Sequence, residues 1–162
     1  MNLVGIGQDS HRFLKEKNTK DLVLGGIKIN FEYGLEGNSD ADVIIHAICN
    51  SISSALGGGS ISTWSDEMCK NGIKDSSQYL LVILEKMKNM NCNISNISIS
   101  VEAKEPKLEN IIGKIKNNLS KILNIDTKRI GITATTGEGL TDFGRGLGIQ
   151  ALSVVNLISN ES

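Results

Sequence analysis

The sequence is poor in proline, cysteine and aromatic residues, and it lacks long apolar runs. It contains one proline, three cysteines without a C-x-x-C pair, and aromatic residues at only 4% of the chain. An odd number of separated thiols argues against a disulfide framework or a thiolate zinc site and favours a reducing compartment. No run of 18 apolar residues occurs, and Asp9 and His11 interrupt the segment where a signal peptide needs an apolar core. We therefore expect a soluble cytoplasmic protein.

Neither sign of charge dominates the chain. The 17 basic and 18 acidic side chains give a formal charge of −1, and no basic block is present. This balance argues against nucleic-acid or membrane-surface binding by net charge, but a local phosphate site remains open. A length of 162 residues with 40% hydrophobic content suits one globular domain spanning residues 1–162.

Short β-rich runs alternate with longer helical ones. The predicted strands are Leu3–His11, Leu22–Leu24, Ile27–Ile29, Ile94–Val101, Arg129–Thr135 and Gly148–Ile158. The predicted helices are Val43–Leu56, Ser76–Met90 and Leu108–Leu123, with a loop over Gly57–Asp75. This order indicates an α/β fold of the α+β two-layer type, a mixed sheet with helices packed on one face. The other face would be covered by symmetric self-association.

The only two histidines each lie near a carboxylate. Asp9 and His11 are two residues apart in a strand, so their side chains leave the same face. Ser39 is predicted as the N-cap of the following helix and Asp42 as its N3 acid, four residues before His46. Two imidazoles and one carboxylate suit catalytic zinc with one open position, although either histidine alone would more often be an ordinary hydrogen-bonded residue. Asp42 could also accept a proton from a ligand imidazole.

Two further segments have the chemistry of phosphate sites. Thr135-Thr136-Gly137-Glu138-Gly139 follows a predicted strand and offers hydroxyls, backbone amides and a carboxylate, which suit a phosphate beside magnesium. An ordinary polar loop is the alternative for that segment. Arg145, one of three arginines, has a fork geometry suited to phosphate or to a structural salt bridge.

Together these motifs resemble a known family in sequence order. They are Asp9-Ser10-His11, Leu24-Gly25-Gly26, Asn38-Ser39-Asp40-Ala41-Asp42-Val43 with His46-Ala47, Ala103…Pro106-Lys107, Ala134-Thr135-Thr136-Gly137-Glu138-Gly139-Leu140 and Gly144-Arg145-Gly146. From Gly5 to about Ile158 the chain resembles the 2-C-methyl-D-erythritol 2,4-cyclodiphosphate synthases of non-mevalonate isoprenoid biosynthesis. The combination is highly specific, although each motif alone is weak.

The resemblance implies a homotrimer with active sites between subunits and the open sheet face toward the trimer centre. It implies zinc on Asp9, His11 and His46, and magnesium or manganese on Glu138. The implied reaction cyclises 4-diphosphocytidyl-2-C-methyl-D-erythritol 2-phosphate and releases CMP, mainly through positioning and charge neutralisation. Asn38, Thr136 and Glu138 are the implied catalytic residues. The implied substrate-binding set is Asp9, Ser10, His11, Asn38, Ser39, Ser60, Ile61, Ser62, Asp66, Ala103, Lys104, Glu105, Pro106, Lys107, Leu108, Glu109, Thr135, Thr136, Gly137, Glu138, Asp142 and Arg145.

The chain departs from the family pattern at several positions. Asn38 stands where the family usually has histidine, and Ser60-Ile61-Ser62 replaces Asp-Ile-Gly. Trp64-Ser65-Asp66 replaces Phe-Pro-Asp, and Asn50 replaces an acid common after the helical histidine. An active cyclase is the favoured interpretation, and a trimeric metal- and nucleotide-binding homologue with weak or no activity is the alternative. A metal-dependent phosphatase would need a dedicated base for water, and the sequence offers none.

Overall fold

The protein folds into two layers, a mixed sheet and a layer of helices, in a computed structural model that describes residues 1–160. The strands are β1 (Asn2–Arg12), β2 (Leu22–Leu24), β3 (Ile27–Ile29), β4 (Cys92–Glu102), β5 (Ile130–Thr135) and β6 (Gly148–Ser159). The helices are α1 (Val43–Ala55), α2 (Ser62–Lys70), α3 (Ser76–Asn89) and α4 (Ile112–Leu123). The predicted α/β two-layer fold with a mixed sheet is confirmed. Within residues 1–160, every helix is too short or too polar to cross a membrane.

Strand order determines where the functional loops meet. The main sheet has the order β1-β6-β4-β5, in which β6 is antiparallel to both β1 and β4, and β4 is parallel to β5. Strands β1, β4 and β5 therefore run in the same direction, and their carboxyl ends lie at one edge of the sheet. The end of β1 carries Asp9 and His11, and the loops after β4 and β5 begin at Ala103 and Thr136. With strands about 4.8 Å apart, β1 and β5 are about 14 Å apart at that edge.

Helix α1 packs unusually close to β1 because two glycines face it. A Cβ atom at Gly7 would lie 2.2 Å from the Ala47 carbonyl oxygen, and one at Gly5 would lie 2.0 Å from the Ser51 carbonyl oxygen. Any side chain at either position would therefore push the helix away from the strand. The close approach brings His46, on the second turn of α1, to the strand that carries Asp9.

The two faces of the sheet differ in their surroundings. The face under the helices contributes buried side chains such as Ile97, Val101, Val155 and Leu157 to the core. The opposite face exposes apolar side chains from neighbouring positions of β1 and β6, where Ile6 is paired with Val154. The exposed apolar side chains on these two strands are Val4, Ile6, Leu152, Val154 and Ile158.

Two local predictions are wrong. The segment predicted as a loop over Gly57–Asp75 contains helix α2, which is short and polar, buries no residue fully and has no side-chain N-cap, so the sequence offers few signals for it. The N-cap of α1 is Asp42, whose carboxylate accepts from the backbone N–H groups of Ile44 and Ile45; Ser39 and an N3 acid are not involved. The predicted bounds of the other elements agree with the structure to within a few residues, and the β2–β3 hairpin agrees fully.

Candidate active site

Asp9, His11 and His46 converge as the sequence predicts. Oδ2 of Asp9 lies 3.0 Å from Nε2 of His11 and 3.0 Å from Nδ1 of His46. The donor atoms of all three side chains lie within 4.8 Å of one another, and the two rings meet edge to face with centroids 5.7 Å apart. His46 is 8% exposed, whereas Asp9 and His11 are half-buried at the cavity surface. His46 is therefore enclosed, whereas Asp9 and His11 can be reached from a cavity.

The three groups shift one another's protonation. Burial alone raises the pKa of Asp9, but hydrogen bonding and charge attraction from His11 and His46 outweigh it, and the net pKa is lowered. Burial alone lowers the pKa of His11, but contact with Asp9 and a backbone hydrogen bond with Glu36 raise it above its ordinary value. The carboxylate is thus held ionised, as a metal ligand must be.

The triad fits a zinc ion chemically. Within residues 1–160, Nε2 of His11 is buried and forms no well-aligned hydrogen bond, although Asp9 Oδ2 lies 3.0 Å from it. In the neutral ring this nitrogen can offer its lone pair to a cation that also contacts Asp9 and His46. Two histidine nitrogens and one carboxylate oxygen match catalytic zinc sites with three protein ligands and an open fourth position. These three residues could therefore hold a divalent metal.

Asp42 does not orient a ligand histidine, so that prediction is wrong. Its carboxylate accepts from the backbone N–H groups of Gly25 and Gly26 at 2.9 and 2.7 Å, in addition to those at the start of α1. Burial raises the pKa of Asp42 to about 6, against the hydrogen bonds from Ile45, Gly26 and Gly25 that lower it. Asp42 thus joins the β2–β3 turn to α1.

The partner of His46 is a residue that sequence reasoning missed. Ser76, the first residue of α3, places its Oγ 2.7 Å from Nε2 of His46 and also donates to Asp40. Asp40 was visible inside the Asn38–Val43 motif, but nothing in its spacing assigned it a partner 36 residues away. The Asp75-Ser76 pair that opens a helix was the only available signal, and it indicates a helix start as readily as a site.

A cavity of about 520 Å³ opens in front of the triad. Among the predicted substrate-binding residues, it is lined by Asn38, Ser39, Ile61, Ser62 and Asp66 in addition to the triad. Lining residues that the sequence did not single out as site residues are Ser65, Cys69, Lys70, Lys74 and Tyr79. Helix α2, absent from the predicted elements, supplies Ser65, Cys69 and Lys70, which is why these three were missed; Lys74 and Tyr79 lie in the following loop and in α3.

Two of the departures from the family pattern contact each other here. The side-chain amide of Asn50 donates to the Gln8 carbonyl at 3.1 Å and its oxygen accepts from the Ile61 backbone N–H at 2.8 Å. Asn50 therefore ties β1 to the loop that enters the cavity. Ser60 does not line this cavity, and its hydroxyl lies 2.9 Å from that of Ser62.

A second cavity, of about 580 Å³, lies at the loops that follow β4 and β5. It is lined by Lys104, Lys107, Thr136, Glu138, Gly139, Gly144 and Arg145, and shares no lining residue with the first cavity. Glu138 is exposed and has a left-handed backbone conformation with φ of 52°. Three cationic side chains beside one carboxylate form a surface suited to phosphate groups.

The remaining predicted site residues lie around this second cavity or in the core. Ala103 and Leu108 are buried, so only their backbone groups can reach a ligand. Thr135 accepts from the Gly137 N–H at 3.2 Å, and Asp142 pairs with Arg145 at 2.6 Å. Ser10 and Asp142 line a small cavity with His11, Glu105 lines another with Lys104, and Glu109 is exposed beside the partly buried Pro106.

Comparison with known proteins agrees with this architecture. A sequence profile of the YgbB family matches residues 2–158. The 2-C-methyl-D-erythritol 2,4-cyclodiphosphate synthase of Chlamydia muridarum is 43% identical over 156 residues, covering 96% of this chain and 87% of that protein. The protein of the same name from Chlamydia trachomatis serovar D is 42% identical with the same coverage.

Solved structures show the same fold. The CDP complex of IspF from Plasmodium falciparum superposes with a TM-score of 0.86 and 32% identity, over 99% of this chain and 97% of that one. The bifunctional IspDF of Campylobacter jejuni superposes with a TM-score of 0.89 and 34% identity. The match covers 97% of this chain and 42% of that longer protein. With the family profile matching nearly its full length, this chain belongs to the YgbB family.

Proposed function

We propose that the chain is a phosphorus–oxygen lyase that converts 4-diphosphocytidyl-2-C-methyl-D-erythritol 2-phosphate into 2-C-methyl-D-erythritol 2,4-cyclodiphosphate and CMP. The single observation that carries the proposal is the Asp9–His11–His46 triad facing a cavity, in a chain 42–43% identical to synthases of that name. An oxygen of the 2-phosphate forms a bond to the β-phosphorus. The bond from that phosphorus to the α-phosphate oxygen breaks, and CMP leaves with the electron pair.

The residues divide the work between two cavities. In this proposal Asp9, His11 and His46 hold zinc, and Glu138 holds magnesium or manganese together with the substrate phosphates. Bound cations would neutralise phosphate charge during ring closure. Asn38 donates its amide N–H to a phosphate oxygen in the first cavity, and Thr136 donates its hydroxyl to the α-phosphate in the second. Ring closure within one substrate depends chiefly on holding the reacting groups in line.

The second cavity suits the cytidine diphosphate part of the substrate. Lys104, Lys107 and Arg145 bring positive charge to it, and the Plasmodium relative was solved as a CDP complex. Because the side chains of Ala103 and Leu108 are buried, backbone groups of residues 103–109 would recognise the cytosine. Unpaired cysteines, two of them buried, support the further proposal of a cytoplasmic location.

We infer that the complete site forms between copies of the chain in a homotrimer. The two cavities of one chain share no lining residue, which suits a site in which the first cavity of one copy faces the second cavity of a neighbour. The outer face of β1 and β6 carries exposed apolar side chains, with Val4 at 68% and Ile6 at 64% exposure. Burying such a face against identical copies would stabilise the assembly.

Mixing two inactive variants tests the shared site. His46→Ala lacks a metal ligand and Thr136→Ala lacks a hydroxyl of the second cavity. If each site takes one cavity from each of two neighbours, unfolding and co-refolding equal amounts should restore about a quarter of wild-type activity by random assembly. Sedimentation should report a trimer. Absence of recovered activity in a confirmed mixed trimer would contradict a site between subunits.

Product analysis tests the reaction itself. Purified protein with zinc and magnesium should release CMP from the diphosphocytidyl substrate, and mass spectrometry should detect the cyclic diphosphate rather than the linear 2,4-bisphosphate, which is heavier by one water. His46→Ala should release none, while Lys114→Gln, on the exposed side of α4, serves as the matched control. A linear 2,4-bisphosphate, formed by attack of water on the β-phosphorus, would instead indicate a phosphatase-like hydrolysis.

A second candidate function is supported by Asn38. This neutral side chain lines the first cavity, in front of the triad, which we call the metal cavity. An asparagine cannot supply the charged hydrogen bond of a protonated histidine, so phosphate stabilisation in the transition state is weaker. The corresponding function is a metal- and nucleotide-binding homologue with weak or no turnover. Zinc and CDP binding without CMP release at high protein concentration would establish it.

A further inference from the structure

The His46 ring is held from behind by a buried pair of side chains, Ser76 and Asp40. The Ser76 side chain is fully buried, and its Oγ lies 2.7 Å from Nε2 of His46. The same hydroxyl donates to Oδ1 of Asp40, and the Ser76 backbone N–H donates to Oδ2 of Asp40 at 2.9 Å. Nδ1, on the other side of the ring, faces Asp9. The ring thus lies between the candidate metal position and this pair.

Counting donors shows that Nε2 of His46 carries a hydrogen. A serine hydroxyl has one hydrogen, and the Asp40 carboxylate can only accept, so that hydrogen belongs to the Ser76–Asp40 bond. The 2.7 Å contact is then a hydrogen bond only if Nε2 of His46 donates to Ser76. Nδ1 of the same ring faces Asp9 at 3.0 Å, so it carries a hydrogen there in the metal-free arrangement, and its lone pair becomes available to a cation beside Asp9 when the ring is neutral with its hydrogen on Nε2.

His11 is arranged in the opposite sense. Its Nε2, rather than its Nδ1, faces Asp9 at 3.0 Å, and its ring has a backbone hydrogen bond with Glu36. A backbone group therefore contacts one histidine, and a serine–aspartate pair contacts the other. In each ring the nitrogen that faces Asp9 can bind the cation once it no longer carries a hydrogen.

We propose that Ser76 and Asp40 are positioning residues that hold His46 in the Nε2–H tautomer and aim Nδ1 at the metal. This inference rests on the metal site of the proposed function and adds to it two residues outside the triad. Groups that hydrogen-bond the distal nitrogen of a ligand histidine fix its orientation and raise its basicity. The pair does this from a position that cannot contact the ion itself.

A purely structural role does not account for the Ser76 hydroxyl. The N-cap of α3 is Asp75, whose side chain accepts from the Ser77 N–H, so the helix start is satisfied without Ser76 Oγ. Asp40 also receives the Asp42 N–H at 3.2 Å, while its own N–H donates to the Lys74 carbonyl at 2.9 Å. The pair therefore links the metal ligand to the segment that carries Lys74, a residue lining the metal cavity.

The test uses ring N–H signals of ¹⁵N-labelled, zinc-loaded protein, which is simple because the chain has two histidines. The wild type should show two protected ring N–H signals, from Nε2 of His46 and Nδ1 of His11. Ser76→Ala should lose only the His46 signal, and its zinc dissociation constant, measured by chelator competition, should rise by about 10- to 100-fold. Ser77→Ala, which removes the neighbouring hydroxyl, is the matched control and should change neither readout.

Two further variants separate positioning from folding. Asp40→Asn has a side chain of the same shape, but its amide can donate to Ser76 Oγ instead of accepting from it. We expect this variant, like Ser76→Ala, to bind zinc more weakly, and it provides the test if Ser76→Ala does not fold. Ser76→Thr keeps the hydroxyl and should bind zinc within about threefold of wild type.

Each contrary result has its own meaning. Folded Ser76→Ala and Asp40→Asn proteins that keep the His46 signal and bind zinc normally would overturn the positioning role and leave the metal site intact. A wild-type protein that takes up no zinc would overturn the metal site and this inference together.

Discussion

The Asp9–His11–His46 triad and the loop that carries Glu138 lie at the same edge of one sheet. They differ in how many contacts within one chain hold their side chains in place. The triad side chains come from β1 and α1, contact one another, and have a further buried pair behind His46. Glu138 is exposed in a short turn after β5, where the Glu138 backbone N–H donates to Thr136 Oγ1 at 3.4 Å. The triad is anchored in the core through the buried His46, whereas Glu138 lies on the surface.

The proposed function explains this difference by what each half of the site would do. Ligands for a resident ion are best held rigidly, because reorganisation on binding would weaken affinity. A loop that meets a phosphate together with a second cation can remain open until the substrate arrives. We therefore expect metal binding and turnover to respond separately to substitutions in the two halves.

The largest expected effect separates them directly. His46→Ala should abolish stoichiometric zinc binding, because it removes one of three ligands, whereas Glu138→Gln should leave zinc content unchanged and impair only the magnesium-dependent activity. Metal analysis of gel-filtered protein measures the first quantity and CMP release the second. Zinc retained in folded His46→Ala would show that the ion, if present, binds elsewhere.

The close packing of α1 on β1 should support the triad. Gly7→Ala places a Cβ 2.2 Å from the Ala47 carbonyl oxygen and 2.3 Å from the Ser51 backbone nitrogen, so the helix must move. We expect a loss of about 3 kcal/mol in the free energy of unfolding, together with weaker zinc binding. Urea unfolding measures the stability. Gly131→Ala in β5 is the control, because a Cβ atom there would lie 3.8 Å from Ser98 Oγ, which is an ordinary contact distance. An equal effect of both variants would contradict this account.

Asn38→His restores charge to the metal cavity. A protonated imidazole donates a stronger hydrogen bond to phosphate than an amide, and we expect kcat to rise about fivefold, equivalent to about 1 kcal/mol. Zinc content should not change, because Asn38 is not part of the triad. Unaltered turnover would mean that another cation already fills this role.

Lys74 is a candidate for that cation, since it lines the metal cavity. Lys74→Gln should raise KM for the anionic substrate by about two- to fivefold, in line with the modest strength of exposed ion pairs. Lys114→Gln, which removes a charge outside both cavities, should have no effect. Increasing the salt concentration should reduce the difference between Lys74→Gln and wild type.

The smallest expected effect concerns pH and the metal-free protein. The lowered pKa of Asp9 contributes stability above its ordinary value of 3.8, which is lost as pH falls through the lowered value. The raised pKa of His11 contributes stability fully below 6.5, which is lost as pH rises through the raised value. Chelator-treated protein should therefore lose stability as pH rises above 6.5, and His11→Gln should not show this decline. Zinc affinity should increase over the same pH range, because zinc binds neutral imidazole.

The success of sequence reasoning differed between the halves in an instructive way. Asp9 and His11 were predictable because a spacing of two places both side chains on one face of β1. His46 was predictable as the other histidine of the chain, on a helix that the apolar period of α1 identifies, although its expected helical partner, Asp42, was wrong. Helix α2 was not, because it is short, polar and stabilised by partly buried contacts such as Trp64, whose Nε1 donates to the Tyr79 carbonyl at 3.1 Å. The part of the metal cavity wall that α2 contributes was missed with it.

Asp42 and Ser76 show the same limit at the level of single residues. The spacing from Asp42 to His46 suggested contact along one helix face, but the Asp42 carboxylate is used by backbone N–H groups at the β2–β3 turn and at the start of α1. Ser76, 30 residues from His46, takes the place next to the ring instead. Local spacing indicates which side chains can meet, and it does not indicate which distant group is packed against them.

The sequence by itself determined the family, the sheet-and-helix order and the three side chains suited to a metal, because these depend on local motifs and periodicity. Only the tertiary structure decided that Gly5 and Gly7 let α1 approach β1, that α2 forms part of the cavity wall, and that Ser76 and Asp40 stand behind His46. Those features arise from packing between segments far apart in the chain, where steric fit and the burial of hydrogen-bonding groups determine the partners.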